Sequence, residues 1–274
     1  MRFKAESLIL NFIRAMGLVA VFIPLFMILY VLAEGLPVVN FEFLFTPPKG
    51  GLSAEGGISS CTIATLWLLG FTMLILIPLG IGAGIYLAEY APENKLTGLI
   101  RYCIDLLAGI PSVIFGAFGF IAFVVSLKLG YSILAGALTL AILLLPFLVR
   151  TTEEALRSVP RTYREAALSL GATRWQALRY VLLPAALPGI LTGIILCIGR
   201  VFAESAPLWL TMGGSAETPL SPLDPGRSLA VHIFYLAMET RAPEKAMGTG
   251  AVLILIILIL NFLVRWISAK VRRL

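Results

Sequence analysis

Long apolar stretches alternate along this chain with shorter polar ones rich in arginine. The apolar runs cover 15–32, 61–88, 104–127, 131–149, 181–202 and 247–264. Each has about 18 residues or more, enough to cross a hydrocarbon layer of about 30 Å as a helix. Helices are the only open option for such runs, because an unpaired backbone amide in lipid costs several kcal/mol. The first run is read as a span and not as a removable leader: it is long, lacks a clear small-x-small cleavage site and opens a set of six. The third and fourth runs nearly abut, which predicts a tight antiparallel hairpin. Pro78 with Gly80, Gly82 and Gly84, Pro111 with Gly109 and Gly116, then Pro146 and Pro188, sit in or at the ends of four runs. They predict either bends in a packed bundle or close helix contacts.

Composition agrees. Of 274 residues, 59% are hydrophobic and 13% charged, and mean hydropathy is +0.97. A water-soluble domain needs a more charged surface. The expected class is an all-α polytopic membrane protein, with one transmembrane domain over 1–274. The net charge of +6 fits topology signals and anionic lipid better than nucleic acid, since no basic recognition module is present. Cys61, Cys103 and Cys197 form no CxxC pair and suit small apolar positions, with no metal or disulfide framework.

The basic residues are distributed unevenly. Arg2, Lys4, Arg14, Lys95, Arg101, Arg150, Arg157, Arg161, Arg164, Arg174, Arg179, Arg265, Lys270, Arg272 and Arg273 fall on one side of a six-span arrangement. Only Lys49, Lys128, Arg227, Arg241 and Lys245 fall on the other, with Arg200 inside a span. The positive-inside rule puts the first set, and with it both termini, in the cytoplasm.

The longest basic segment, 150–184, is too patterned for a linker. Pro160 ends one segment and suits the start of a helix, while Thr162 followed by Glu165 is a capping-box pair. Ala166, Ala167 and Leu170 continue that helix, and Gly171 closes it in a left-handed conformation. A second short helix, 174–182, leads into Leu183 and Pro184. A protruding helix with small residues on one face, flanked by Arg161, Arg164 and Glu165, suits a groove on another protein or an anionic membrane surface.

Arg200 and Glu204 are four residues apart, hence on one face if the fifth helix continues that far. A charge in lipid is costly, so the pair is expected to face the bundle interior or a water-filled cavity. It is either a structural clamp between bent helices or part of a solute path. An arginine fork suits an oxyanion, and Glu204 would moderate its charge.

The order Glu165-Ala166-Ala167, three residues, Gly171, nine residues, Val181, one residue, Leu183-Pro184 resembles the signature loop of the membrane subunits of ATP-binding-cassette importers, with valine in the isoleucine place. Gly199-Arg200, Glu204 and Ala206-Pro207, together with the stretch Ile110-Pro111-Ser112-Val113-Ile114-Phe115-Gly116, are similar to the permease pair of phosphate importers, most to its PstA-type member. Ala203 and Ser205 stand where that family often has glycine and threonine.

The resemblance implies a six-helix type I importer domain in a bacterial or archaeal cytoplasmic (inner) membrane. It also implies a coupling role for Arg161, Arg164, Glu165, Ala166, Ala167, Gly171, Leu183 and Pro184, and a place near the phosphate route for Arg200 and Glu204. Its implied partners are a second, PstC-type permease, a homodimeric PstB-type ATPase that binds ATP and Mg, and an external phosphate-binding protein. The chain itself has no GxxxxGK[ST] loop, and no catalytic or cofactor residues are assigned to it. Permeases for molybdate, sulfate or another small solute share the loop. An intramembrane enzyme is the remote alternative: Glu153-Glu154 with Arg157 is one residue short of the protease spacing it resembles, and His232 is the lone histidine, read as a surface loop residue.

Overall fold

A computed structural model describes the backbone at 2–49, 55–240 and 242–271, and the side chains of those residues between Leu10 and Trp266. The side chains of Arg2, Lys4 and Lys270, and all of Arg241, Arg272 and Arg273, lie outside the described residues.

The fold is all-α. Helices α1 (Arg2–Gly35), α2 (Phe41–Phe45), α3 (Ser59–Ile85), α4 (Lys95–Ala108), α5 (Ser112–Gly119) and α6 (Ile133–Arg157) form the first half. They are followed by α7 (Arg161–Ser169), α8 (Arg174–Ala177), α9 (Leu183–Ala203), α10 (Ala206–Thr211), α11 (Leu229–Met238) and α12 (Pro243–Val271). Turns of wider, π-helical pitch extend α3 over Tyr86–Tyr90 and α5 over Phe120–Ser126, and join α8 to α9 over Leu178–Leu182.

Among the described residues five helical stretches are apolar and long enough to span a membrane: Leu10–Val38, Ser59–Tyr90, Ile133–Arg157, Arg174–Ala203 and Pro243–Trp266. The expected third span, 104–127, is not one straight helix. Lys95–Ala108 and Ser112–Ser126 meet at 99°. Pro111 supplies the reason: its ring restricts Ile110, and it sits at φ −57°, ψ 137° just before α5. Pro78, Pro146 and Pro188, by contrast, lie within continuous helices. The predicted hairpin is present, with α5 and its extension returning against α6.

Helix α6 is central. Leu140, Leu144 and Leu148 are fully buried among Leu68 and Leu76 of α3, Phe115 of α5, Val201 of α9 and Leu208 of α10. Neighbours reach α6 closely because they present glycine. A Cβ built on Gly84 would lie 2.5 Å from Cβ of Thr152, and one on Gly193 2.5 Å from Oγ1 of Thr151. One on Gly80 would lie 2.7 Å from Leu148. Such contacts let backbones approach where dispersion and shape, with no water to expel, drive helix association.

The start of α6 is buried, so its free amides need partners. Ser132 Oγ accepts from Ala135 N at 3.2 Å. The returning segment between α10 and α11 supplies the rest: Ile133 N donates to Asp224 O at 3.0 Å and Leu134 N to Pro222 O at 2.8 Å. Helix α1 touches the bundle along α12 and exposes Phe12, Leu18, Val21, Phe22 and Met27. An apolar surface of that extent requires lipid or another subunit as cover.

Gly84→Ala should destabilise the protein by about 1–3 kcal/mol through overpacking against Thr152. Gly82→Ala, whose Cβ would meet no atom within 4 Å beyond its own stretch of helix, should be neutral or gain up to about 1 kcal/mol of helix propensity. Thermal unfolding of the two variants in detergent compares them directly.

Candidate functional site

Between α6 and α9 the chain leaves the bundle as a short helix on a tight turn. Helix α6 continues through Arg157, and the fifth spanning helix begins at Arg174, so the part of 150–184 outside the long helices is only Ser158 to Thr173. The expected capping box at Thr162 and Glu165 is absent: α7 starts after Pro160, which makes no side-chain cap. The box lies one helix later, where Thr173 Oγ1 accepts from Gln176 N at 3.2 Å and Gln176 Oε1 accepts from Thr173 N at 2.8 Å. The close of α7 is as predicted. Gly171 has φ +83°, its N donates to Leu168 O at 3.0 Å, and Ala172 N donates to Ala167 O at 3.1 Å. This double bond pattern satisfies the last carbonyls of the helix and needs a left-handed residue after it.

The faces of α7 divide clearly. Ala167 is 8% exposed, and α7 packs against the Leu178–Leu182 turn. Arg161, Tyr163, Glu165, Ala166, Leu168 and Leu170 are exposed, with Leu170 at 90%. A protruding knob of apolar side chains rimmed by charge is a docking shape. Leu183 and Pro184 lie at the start of α9, where the preceding π-helical turn carries the chain into the span. Arg164 is turned inward and pairs with Glu89.

Beside this loop lies a charge cluster that the sequence reading did not assign. Glu153, 1% exposed, accepts from Arg101 Nε at 2.8 Å, lies 3.1 Å from Arg157 Nε and 3.7 Å from Arg150 Nη1. Arg101 Nη2 also donates to Leu87 O at 2.9 Å. One buried carboxylate thus gathers α4, α6 and the end of α3. The spacing of Arg150, Glu153 and Arg157 at three and four residues was the available signal; the partner on α4 had none.

At the far end of α9 the helix stops at Ala203, and Glu204 is extended (φ −78°, ψ 130°). The predicted pair still closes, with Arg200 Nε donating to Glu204 Oε1 at 3.2 Å. The Arg200 side chain is 47% exposed and that of Glu204 12%. Both belong to one segment, so this bond ties no second helix to α9. Next to them Ser205, Ala206 and Trp209 line an apolar recess of about 300 Å³ with Val113, Val231 and Phe234. Gly116 of α5 meets Pro207 of α10, where an added Cβ would be 2.7 Å from Pro207 Cα. The two sequence stretches around Pro111 and Pro207 are therefore neighbours in space.

His232 is not a loop residue. It lies in α11, 3% exposed, with Arg227 Nη1 3.4 Å from its Nδ1. Arg227 also stacks over Tyr235 at 3.9 Å and donates to Gly214 O. Among the described residues no cluster of three metal-ligating side chains occurs.

The sequence profile described as "binding-protein-dependent transport system inner membrane component" matches residues 80–273. The chain is 40% identical over 258 residues to the probable ABC transporter permease protein YqgI of Bacillus subtilis, covering 88% of this chain and 87% of that one. It is 33% identical over 269 residues to the phosphate transport system permease protein PstA of Pasteurella multocida (96% of this chain, 95% of the relative). A probable phosphate transport system permease protein PstA of Methanocaldococcus jannaschii is 34% identical over 265 residues (96% and 92%). Among solved structures, a bacterial alginate ABC transporter superposes with a TM-score of 0.68 at 15% identity, covering 94% of this chain and 96% of that one. The MetNI methionine ABC transporter gives 0.57 at 22% identity (77% and 93%). At these identities the likeness is one of fold: the bundle is that of type I importer transmembrane domains.

Glu153→Gln should strand charge beside Arg101 and Arg157. Loss of a buried partner costs about 3–5 kcal/mol in full burial, and about 2 kcal/mol is expected here because the arginines are partly solvated. Glu154→Gln, whose carboxylate is 62% exposed opposite Arg150, should cost under about 1 kcal/mol. Denaturant titration in detergent separates them.

Proposed function

Because the chain belongs to the binding-protein-dependent transport system inner membrane component family, and is thus a permease subunit of an ABC-type importer, we propose that its solute is phosphate. The observation that carries this reading is the set of phosphate permeases related to it at 33–34% identity over 96% of its length. Arg200 supports it chemically. Half of its side chain is uncovered by this chain while Glu204 holds one edge of the guanidinium. The remaining donors suit a tetrahedral oxyanion, and the carboxylate keeps the site from binding so tightly that release stops.

In this reading the exposed apolar faces are shared between lipid and a second, different permease subunit, and the pathway runs between the two. The knob formed by Arg161, Glu165, Ala166, Leu168 and Leu170 seats in an ATPase subunit, of which two are present. Those subunits bind ATP and Mg, and this chain supplies no catalytic group. An external binding protein delivers the anion. The arginine-rich end of the bundle, with both termini, faces the cytoplasm of a bacterial or archaeal cell.

Radiolabelled phosphate uptake, normalised to assembled complex, tests the solute and the role of Arg200. Arg200→Gln should lower uptake by about 10- to 150-fold, the worth of a charge-assisted hydrogen bond of about 1.5–3 kcal/mol. Arg200→Lys should fall less, since it keeps the charge and loses the fork. The double variant Arg200→Gln with Glu204→Gln should assemble yet stay inactive; near-normal uptake in it would exclude an essential contact. Competition by molybdate or sulfate, with phosphate untransported, would reassign the solute.

Orientation is checked separately. In a Cys103→Ser background, cysteines placed at Ser169 and at Ser221 should react with an impermeant thiol reagent only from inside and only from outside, respectively. The reverse pattern would invert the topology.

A further inference from the structure

The loop helix α7 is held to the bundle in two ways. On one side it packs on the Leu178–Leu182 turn that runs straight into α9, with Ala167 buried. On the other side stands, among the described residues, a single charged bond, from Arg164 Nη2 to Glu89 Oε1. Glu89 lies in the π-helical turn Tyr86–Tyr90 at the end of α3, and its side chain is only 10% exposed. A cavity of about 230 Å³ surrounds the bond, lined by Glu89, Tyr90, Arg164, Leu168, Arg174 and Leu182. Arg164 Nε is buried there without a partner. The seam between α7 and α3 is therefore not close-packed: force crosses it through one ion pair with free volume around it.

The same π-helical turn is tied independently to the centre of the bundle, since Leu87 O accepts from Arg101, which is bound to Glu153 of α6. Turns of this wide pitch are rare and occur mostly as single-turn bulges in α-helices, frequently at functional sites. Here one such turn stands between a fixed charge cluster and a protruding helix.

We propose that Glu89 and Arg164 form the mechanical link by which α7 displaces the α3 span relative to α6, and that Arg164 acts within this chain instead of contacting the ATPase. Displacement of α7 then reaches both helices flanking α6, α9 through the continuous chain and α3 through the ion pair. The inference rests on the importer reading, but not on the identity of the solute. Coupling of this kind is a free-energy difference between two arrangements, of the order of 1–3 kcal/mol, or about 5- to 150-fold.

The test uses the complete complex with its partner ATPase, in a Cys103→Ser background with Leu74→Cys in α3 and Ile142→Cys in α6 carrying spin labels. A non-hydrolysable ATP analogue should shift the distance between the labels. Glu89→Gln and Arg164→Gln should each leave the ATPase bound and reduce that shift about fivefold or more. The charge-reversed pair Glu89→Arg with Arg164→Glu should restore it, which a merely structural loss would not. An undiminished shift in Glu89→Gln, or no shift in the parent, would overturn the link. So would loss of the ATPase from Arg164→Gln but not from Glu89→Gln, which would make Arg164 a docking contact. Phosphate uptake by the parent is measured alongside: its absence with the distance shift intact would sink the solute assignment and leave the link standing.

Discussion

Close approach to α6 is the constraint on which the bundle rests. In an apolar solvent the burial of hydrocarbon gives little net drive between helices, so contact must come from shape and from satisfied polar groups. Gly80 and Gly84 bring α3 onto α6, Gly193 brings α9, and the returning segment around Asp224 supplies the amides that the first turn of α6 lacks. Side chains at those positions would hold the helices apart and open the core around Leu144 and Leu148.

With α6 fixed, the arginine-rich end acquires a second layer of organisation. A buried carboxylate needs several donors to offset its desolvation, and Glu153 obtains them from α4 and its own helix. That requirement helps to explain why α4 turns through 99° at Gly109 to Pro111 instead of continuing the α5 axis: Arg101 reaches Glu153 from a helix lying across the end of the bundle. Arginines that would serve only as topology signals in an unfolded reading become structural bonds, and Arg164 is drawn inward for the same reason.

The exposed charge of Arg200 has a different logic. Its partner is local, so the pair contributes little to holding helices together, and half the arginine side chain stays uncovered by this chain. The adjoining recess beneath Trp209 and Phe234 depends on α10 and α11, which the hydrophobic pattern did not separate from the surrounding loops.

The sequence alone determined the all-α class, the approximate spans, the left-handed stop at Gly171 and the nearness of Arg200 to Glu204, because each depends on residue type and local spacing. It placed the capping box one helix too early, marked a breaker at Pro111 within 104–127 without fixing the size of the bend, and left His232 in a loop. The capping box is a local exchange between Thr173 and Gln176, whereas the 99° bend and the burial of His232 turned on neighbours far along the chain: which helix α4 must reach, and which segment covers α11. Only the tertiary structure decided that Ala167 faces its own chain, that Glu153 gathers arginines from two helices and that Glu89 meets Arg164. Periodicity identifies the face of a helix, but pairing across a bundle is set by which faces are brought together and by the cost of leaving a buried charge alone.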